Sequence, residues 1–394
     1  MHSQNPDIPR YDIVVIGSGP AGATVARIAA ANDLKVLLID KKQELGAPVQ
    51  CSGALSRHAL ENVGLQASDE FVNEEIFGFS IYNADGNATH VDYRILKPDE
   101  YGANGKCLGY VVDRRRFDRF LMTQAERAGA EVWLKTEGLN YEPQQDGTCL
   151  IHVRRFNELI TIKAIILVGA DGLQSQVGKW AGLHTHIKLH ELASCLQFIT
   201  DRVETNGLLE IITGDKWAPG GYAWVFPKGH GYAEIGIGVV RNATGKNPQW
   251  YLDRLIHDSF LKKRFKHVRI LEIQGGGVPL ASPLTKQYAD NLILVGDAAR
   301  HVNPITGGGI HTALSGGKIA AEYISGIIKN NINPVNENLK GYQDRWLEEL
   351  GNKMWKLYDL KSSIFKTKDI PLRDELLFNT MSQYFSPDSE FKKI

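Results

Sequence analysis

The chain has 394 residues, of which 43% are hydrophobic. That length and composition can bury a sizeable core and suggest about two domains. Its 45 lysines and arginines balance 45 aspartates and glutamates, so the net charge offers no long-range attraction to nucleic acid.

The cysteines argue against metal centres. Cys51, Cys107, Cys149 and Cys195 lie far apart without C-x-x-C spacing, which disfavours a zinc site, an iron–sulfur cluster and a disulfide scaffold. No apolar run approaches the roughly 18 residues that span a bilayer, and the N-terminus lacks a signal-peptide pattern. We therefore expect no metal and a cytoplasmic protein, with any membrane contact being peripheral.

The N-terminal segment alternates strand, helix and strand patterns. Tyr11–Ile16 is a β-branched apolar run, Ala21–Ala31 is alanine-rich, and Leu34–Ile39 is a second apolar run. This order predicts the first unit of a parallel sheet.

The turn in this unit reads VVIGSGPAGATVA. Gly17, Gly19 and Gly22 form G-x-G-x-x-G, with Ala21 at the helix start, and Asp40 ends the second strand. The glycines permit a tight turn, backbone approach to a pyrophosphate and close helix packing, while Asp40 can accept from ribose hydroxyls. The pattern predicts dinucleotide binding without separating NAD from FAD; the alternative is an ordinary glycine-rich turn with a solvated aspartate.

The middle of the chain adds a helix and two strands. Asp113 is a predicted N-cap and Gly129 a predicted helix stop, followed by strands at Glu131–Thr136 and Ile160–Val168. We expect these elements to extend the α/β unit.

From Leu192 to Pro283 the pattern becomes β-rich and is broken by Gly, Asn and Pro, which predicts an inserted antiparallel sheet. A buried strand at Asn291–Val295 and a helix from about Gly309 to Lys329 then close the α/β unit. The tail from Asn336 has helical spacing.

Two later stretches carry a resemblance to a known superfamily. VGADGLQSQVGKWAGL (168–183) and LILVGDAARHVNPITGGGIHTAL (292–314) resemble the motifs of aromatic hydroxylase-type flavoproteins, which have the glutathione-reductase-type FAD fold. The resemblance implies FAD, with Asp297 on the ribityl chain and the turn through Gly309 and Ile310 against the flavin. It also implies that Arg114 meets the pyrophosphate, for which a guanidinium is well suited.

Within that superfamily the chain most resembles the geranylgeranyl reductase family, from about Tyr11 to Lys329. The stretches that carry this are KKQELGAPVQCSGALS (41–56), YAWVFPKG with its downstream GIG (222–238), and GDAARHVNPITGGGIHTA. The resemblance implies saturation of C=C bonds in geranylgeranyl chains of an archaeal-type membrane lipid precursor, by hydride transfer from reduced flavin. Because only one complete dinucleotide fingerprint is present, we expect either NAD(P)H that binds without its own Rossmann domain or a ferredoxin-like protein as the electron donor.

The cysteine loop and one strand are the candidate substrate contacts. The resemblance places Cys51 and Ser52 beside the flavin, with Cys51 a candidate catalytic residue or an inert packed thiol. Many family members have a small residue, an acid and a glycine after this cysteine, whereas here Ser52-Gly53-Ala54 follows. Tyr222, Trp224 and Phe226 share one strand face, as an isoprenoid pocket wall or as ordinary sheet core.

These features predict an α/β protein with three parts. A discontinuous Rossmann-like FAD-binding domain takes 1–77, 106–185 and 285–330; a mainly antiparallel β-sheet substrate domain takes 78–105 and 186–284; a helical C-terminal region takes 331–394.

Three other functions share parts of this pattern. A flavin-dependent monooxygenase or halogenase has the same FAD motifs, and a non-catalytic lipid-binding flavoprotein would retain FAD as a structural element. A quinone-linked dehydrogenase is disfavoured because no cysteine-rich iron–sulfur segment is present.

Overall fold

The structure is a computed structural model that describes residues 8–102 and 105–389. Its strands in chain order are β1 (Arg10–Ile16), β2 (Val36–Ile39), β3 (Ala54–Ser56), β4 (Val72–Ile76), β5 (Gly78–Tyr82), β6 (Ala88–Asp92), β7 (Gly109–Val112), β8 (Glu131–Trp133), β9 (Thr136–Pro143), β10 (Cys149–Arg155), β11 (Glu158–Gly169), β12 (Leu192–Asp201), β13 (Leu208–Thr213), β14 (Tyr222–Pro227), β15 (Ala233–Val240), β16 (Arg269–Pro279), β17 (Tyr288–Ala289) and β18 (Leu292–Leu294).

The helices in chain order are α1 (Pro20–Ala30), α2 (Arg57–Asn62), α3 (Tyr93–Leu96), α4 (Pro98–Tyr101), α5 (Arg114–Arg127), α6 (Gln176–Trp180), α7 (Pro248–Asp258), α8 (Ile310–Lys329), α9 (Asn336–Trp346), α10 (Asn352–Lys366) and α11 (Ile370–Phe385). Two short 3₁₀ turns, at Leu189–Glu191 and Gly296–Ala299, and one π-helical turn, at Leu347–Gly351, complete the helical elements of the described chain.

The first sheet has the order β17-β18-β11-β1-β2-β8. β1 pairs in parallel with β2 and β11, and β11 pairs in parallel with β18. The antiparallel hairpin of β9 and β10 extends it through β11. Helices α1, α5 and α8 pack on one face through a continuous apolar core. The predicted strand-helix-strand unit and its parallel sheet are therefore confirmed.

Helix α5 has the predicted boundaries. The Asp113 carboxylate accepts hydrogen bonds from the backbone N–H groups of Arg115 and Arg116 at 2.9 and 3.1 Å, and Gly129 follows the last turn with φ +106°. The strand predicted at Glu131–Thr136 is too long. It ends at Trp133, because Lys135 has φ +50° and turns the chain there.

The second sheet has seven strands in the order β16-β12-β15-β14-β13-β5-β6. β5 and β6 come from an earlier part of the chain, and β5 pairs in parallel with β13, while the remaining pairs are antiparallel. A third sheet has the order β3-β7-β4, and its strands β4 and β7 come directly before β5 and after β6 in the order of strands along the chain.

Helix α7 interrupts the stretch that we predicted to be β-rich. Asn247 caps it by accepting from the N–H of Trp250 at 2.9 Å, and Pro248 occupies the first turn. Tyr251, Leu252 and Leu255 bury one face against the seven-stranded sheet. An Asn-Pro start followed by apolar residues at helical spacing predicts a helix. We predicted strands instead because the surrounding sequence is rich in β-branched residues.

The C-terminal region is helical, as predicted. Helices α10 and α11 pack on β5 and β13 through a cluster that contains Ile81, Ile211, Leu357 and Met381, and Phe385 stacks on Phe79 with ring centroids 4.0 Å apart. Within the described residues, each helix is too short or too polar to cross a bilayer.

Candidate FAD and substrate site

One cavity of about 870 Å³ connects the first sheet, the seven-stranded sheet and the C-terminal helices. All of the site residues predicted from the sequence except Gly22 line it, namely Gly17, Gly19, Ala21, Asp40, Cys51, Ser52, Arg114, Tyr222, Trp224, Phe226, Asp297, Gly309 and Ile310. Residues from distant parts of the sequence therefore face one volume.

The glycine turn after β1 has three different local environments. Gly17 has φ +111°, and a Cβ there would lie 2.2 Å from the carbonyl oxygen of Ala170. A Cβ on Gly22 would lie 2.0 Å from the carbonyl oxygen of Gly17, so Gly22 packs the helix onto the turn. A Cβ on Gly19 would have no protein atom within 4 Å, which leaves this position open to the cavity.

Asp40 is buried at the end of β2, where it holds the glycine turn. One carboxylate oxygen accepts from the backbone N–H and the hydroxyl of Ser18 at 2.9 and 2.5 Å, and the other accepts from the N–H of Lys42 at 2.9 Å. Asp40 is thus oriented by protein donors, it lines the cavity, and its carboxylate has acceptor capacity left for a ligand.

Two helices begin at the cavity without a side-chain cap. The N-cap of α1 is Gly19 and that of α8 is Gly309, and neither helix start is capped by a side-chain hydrogen bond. The first N–H groups of both helices are therefore available to an anion or a carbonyl oxygen, and both helix dipoles favour negative charge there.

Asp297 lies in the 3₁₀ turn that follows β18. Burial raises the pKa of its carboxyl group to about 6, and the nearby Arg114 partly offsets that rise. A Cβ on Gly309 would lie 3.5 Å from an Asp297 oxygen, so the carboxylate and the start of α8 are neighbours. This placement suits a carboxylate that accepts from hydroxyl groups of a bound cofactor.

Arg114 is the cavity-lining arginine of the run Arg114–Arg116. Its guanidinium binds the Asp118 carboxylate at 3.0 Å, and its side chain is 14% exposed. Burial lowers the pKa of Arg114, but Asp118 and the Cys51 thiol outweigh that effect and keep it above its ordinary value. Arg115 instead pairs with Glu272 at 2.6 Å near the surface.

The cysteine loop forms one wall of the cavity. Pro48, Val49, Gln50, Cys51 and Ser52 line it, and Cys51 is a free, partly exposed thiol. Cys51 is near enough to Arg114 and Tyr222 to raise the pKa of both groups, in each case by less than burial changes it. Cys51 therefore neighbours a charged and an aromatic residue of the cavity.

The three aromatic side chains of β14 form a continuous wall. Tyr222 and Trp224 have ring centroids 5.9 Å apart, and Trp224 and Phe226 have centroids 6.2 Å apart. The Tyr222 hydroxyl donates to the carbonyl oxygen of Thr306, which ties this wall to the glycine turn before α8.

The GIG stretch of β15 makes room for this wall. Gly236 pairs with Trp224 across the strands, and a Cβ on Gly236 would lie 2.2 Å from the indole ring. A Cβ on Gly238 would lie 3.2 Å from the sulfur of Cys195, which also lines the cavity. The missing side chains let the indole lie against the strand.

Sequence reasoning missed the far end of the cavity. Ile364, Phe365 and Leu377 of α10 and α11 line it, and so does the buried Lys361, whose ammonium donates to the carbonyl oxygen of Leu280 at 2.5 Å. Helical spacing in the tail predicted the helices, but it did not distinguish a core face from a cavity wall.

The DG motif after β11 has a structural use. Asp171 accepts from the Ser175 hydroxyl at 2.6 Å and from the backbone N–H groups of Gln176 and Val177 at 2.6 and 3.1 Å. It thereby fixes the start of α6 beside the cavity.

A parallel sheet with a glycine turn, a strand-end aspartate and two uncapped helix starts at one cavity defines a dinucleotide-binding protein. In agreement, an FAD binding domain model matches residues 10–206, and FAD is the cofactor. A geranylgeranyl reductase catalytic domain model matches residues 191–278.

Relatives identify the family. The chain is 36% identical over 375 residues to a digeranylgeranylglycerophospholipid reductase of Methanothrix thermoacetophila, covering 95% of this chain and 92% of the relative. It is 38% identical over 341 residues to the protein of that name from Methanocaldococcus jannaschii, covering 86% and 83%. The chain belongs to the geranylgeranyl reductase family, as the motifs predicted.

Solved structures agree with this family assignment and with the predicted fold class. A geranylgeranyl bacteriochlorophyll reductase-like protein from Thermoplasma acidophilum superposes with a TM-score of 0.86 and 30% identity, covering 98% of this chain and 94% of that chain. The myxobacterial chondrochloren halogenase, an FAD-dependent enzyme, superposes with a TM-score of 0.72 and 18% identity, covering 97% and 92%. The halogenase shares the fold, so the predicted fold class is confirmed.

Proposed function

We propose that the protein is an FAD-dependent reductase that saturates C=C bonds of geranylgeranyl chains, with digeranylgeranylglycerophospholipid as its substrate. The observation that carries this proposal is one cavity with a dinucleotide cradle at one end and an aromatic and aliphatic wall at the other. Membership of the family and the names of the relatives supply the substrate class.

The cradle fits FAD. Gly17, Gly19 and Asp40 would hold the adenosine diphosphate part, Arg114 the pyrophosphate, and Asp297 with the start of α8 the ribityl chain and ring. When bound and reduced, FAD supplies a hydride.

The protein has two tasks in such a reaction. The wall of Tyr222, Trp224 and Phe226 and the helical residues Ile364 and Leu377 hold an apolar chain and exclude water. An isolated alkene is a poor hydride acceptor, so this orientation supplies much of the catalysis. We assign Cys51 and Ser52 to the border between cofactor and chain.

The test is an anaerobic incubation of dithionite-reduced, FAD-loaded protein with digeranylgeranylglycerophospholipid, followed by flavin absorbance and the mass of the extracted chains. We expect flavin reoxidation and a gain of two hydrogens per saturated bond. Unchanged chains with reoxidation only after oxygen is admitted would favour a monooxygenase or halogenase. Tight lipid binding with unchanged chains, together with no reduction of the oxidised holoprotein by NADH, NADPH or reduced ferredoxin, would favour a lipid-binding flavoprotein.

The electron donor is the second part of the proposal. We infer NAD(P)H or a ferredoxin-like protein, because one complete dinucleotide fingerprint serves FAD and leaves none for a nicotinamide. Anaerobic mixing of the oxidised holoprotein with NADH, NADPH or reduced ferredoxin distinguishes these donors by which one bleaches the flavin. Failure of all three would overturn this assignment.

We further propose peripheral membrane contact through the start of α11. Ile370, Leu372 and Leu376 are 49%, 47% and 37% exposed, and the next residue, Leu377, lines the cavity. The exposed Lys366 precedes them on α10. Exposed apolar side chains suit the interface of a lipid bilayer, and the adjacent Leu377 lies on the cavity that would receive the lipid chain.

Vesicle flotation at moderate salt tests this surface, with vesicles of phosphatidylglycerol and phosphatidylcholine. We expect the double variant Ile370→Ser/Leu372→Ser to bind less than wild type. Leu159→Ser, which removes an apolar side chain that is 77% exposed on β11, is the matched control and should bind normally. Equal binding by all three proteins, or none by wild type, would contradict the proposal.

A further inference from the structure

A buried ion pair lies behind the cavity wall. The Lys228 ammonium is 3.1 Å from the Glu234 carboxylate, and their side chains are 10% and 0% exposed. Neither residue lines the cavity. Lysine and glutamate are rarely buried to this extent, because the free energy needed to remove both charges from water exceeds the stabilisation that packing alone provides.

The pair makes two further contacts, and each reaches a residue that lines the cavity. The Lys228 ammonium donates to the carbonyl oxygen of Ser52 at 2.8 Å. The Trp224 indole N–H donates to the other Glu234 oxygen at 3.0 Å. The carbonyl thus belongs to the cysteine loop, and the indole belongs to the aromatic wall.

The backbone around the pair is suited to hold it in place. Lys228 follows Pro227 at the end of β14, and Glu234 is the second residue of β15, so both lie on one hairpin. The N–H of Lys228 donates to the carbonyl of Tyr232 at 2.9 Å across that hairpin. The cysteine loop, by contrast, lies 176 residues earlier in the chain.

We propose that the Lys228–Glu234 pair is a positioning clamp that fixes the Cys51–Ser52 loop and the Trp224 indole relative to each other across the cavity. Lys228 and Glu234 act through these two groups without contacting cofactor or substrate. The charges are retained because one ammonium can bind a carboxylate and a carbonyl together, which an apolar pair of the same volume cannot do.

The test measures Cys51 alkylation by iodoacetamide in the FAD-loaded protein, with each cysteine quantified by mass spectrometry. We expect Lys228→Met to speed Cys51 alkylation about tenfold, the factor for one charge-assisted hydrogen bond. Lys228→Arg, which keeps a cation for both acceptors, should stay close to the wild-type rate.

A matched control separates positioning from stability. Arg264, in the segment after α7, pairs with the buried Glu210 of β13 at 2.7 Å; their side chains are 22% and 3% exposed, and neither residue lines the cavity. Arg264→Met should lower the melting temperature and leave Cys51 alkylation unchanged. Equal acceleration by Arg264→Met and Lys228→Met, or no acceleration by either, would overturn the clamp.

A second variant keeps the proposal testable if Lys228→Met does not fold. If Lys228→Met does not fold, because Glu234 is left buried and unpaired, the double variant Lys228→Met/Glu234→Leu removes that charge. A stable double variant with fast Cys51 alkylation supports the clamp, and one with the wild-type rate overturns it.

The kinetic part of the inference rests on the proposed reductase activity. In Lys228→Met we expect kcat for lipid reduction to fall by up to about 100-fold with FAD still bound. A shift of about 1 Å in groups that position a substrate can lower the rate by this factor. Absence of lipid reduction in wild type would refute the proposed function, whereas the alkylation rates would still decide the clamp.

Discussion

The two ends of the cavity are lined by different kinds of protein groups. The cofactor end consists of backbone and charge, with Gly17, Gly19, Asp40 and Asp297 on short segments next to parallel strands. The far end consists of apolar side chains such as Trp224 and those of α10 and α11. Backbone geometry tolerates few residue types, whereas an apolar wall tolerates many. Substitutions should therefore separate the two ends.

The largest effect is expected from Gly17→Ala, at the cofactor end. The added Cβ meets the Ala170 carbonyl at 2.2 Å in a backbone conformation with φ +111°. We expect the apoprotein to lose about 4 kcal/mol of free energy of unfolding and to fail to bind FAD. Urea denaturation and flavin fluorescence measure these two quantities.

Gly19→Ala is the control for that prediction, because its Cβ meets no protein atom within 4 Å. It should leave the apoprotein near wild-type stability and weaken FAD binding alone. Normal FAD affinity in Gly19→Ala would contradict the assignment of this position to the cofactor.

The next effect concerns pH and Asp297. Its pKa is raised from 3.8 to about 6, so the folded apoprotein holds this proton more tightly than the unfolded chain. Its contribution to stability is full below pH 3.8 and is lost as the pH rises to about 6. Relative to Asp297→Asn, the wild-type apoprotein should lose at most about 3 kcal/mol over this window. Urea denaturation across the window checks this, and a constant difference would contradict it.

Gly236→Ala addresses the far end. Its Cβ meets the Trp224 indole at 2.2 Å and forces the ring toward the cavity. We expect a loss of about 2 kcal/mol in stability and a raised KM for the lipid with unchanged FAD affinity. Gly238→Ala, with its nearest contact at 3.2 Å, should show a smaller rise in KM. A large loss of FAD affinity in Gly236→Ala would remove the distinction between the two ends.

The smallest effect is expected from Tyr222→Phe, which removes the hydroxyl that joins the aromatic wall to the Thr306 carbonyl. We expect a loss of about 1 kcal/mol in thermal unfolding experiments, the net value of one hydrogen bond. KM should change little, because the ring remains. A change in FAD affinity larger than the change in KM would show that this residue belongs to the cofactor end.

Much of the fold and the cofactor end could be predicted from the sequence, because their signals are local. The Asp113 cap and the Gly17 turn each depend on neighbouring residues and so leave a short pattern. The turn at Lys135 was missed because a non-glycine residue with positive φ leaves a weak local signal. Helix α7 was missed because the β-branched residues around it outweighed its Asn-Pro start.

The far end of the cavity depends on tertiary contacts. Ile364 and Leu377 have the spacing of any buried helix face, and only their tertiary placement on the cavity that Trp224 also lines makes them a cavity wall. The need for glycine at position 236 likewise could not be predicted from the sequence, because the Trp224 indole that requires it lies on the neighbouring strand. The Lys228–Glu234 pair has no sequence signature beyond two charges near a turn.

The most direct test of the central claim, one cavity for both FAD and an isoprenoid chain, is a crystal structure of the oxidised holoprotein with digeranylgeranylglycerophospholipid, which cannot be reduced without an electron donor. We predict FAD along Gly17, Asp40 and Asp297, with a geranylgeranyl chain between the aromatic wall and Leu377. A chain bound elsewhere, or FAD that extends over Trp224 and fills the far end, would contradict this account.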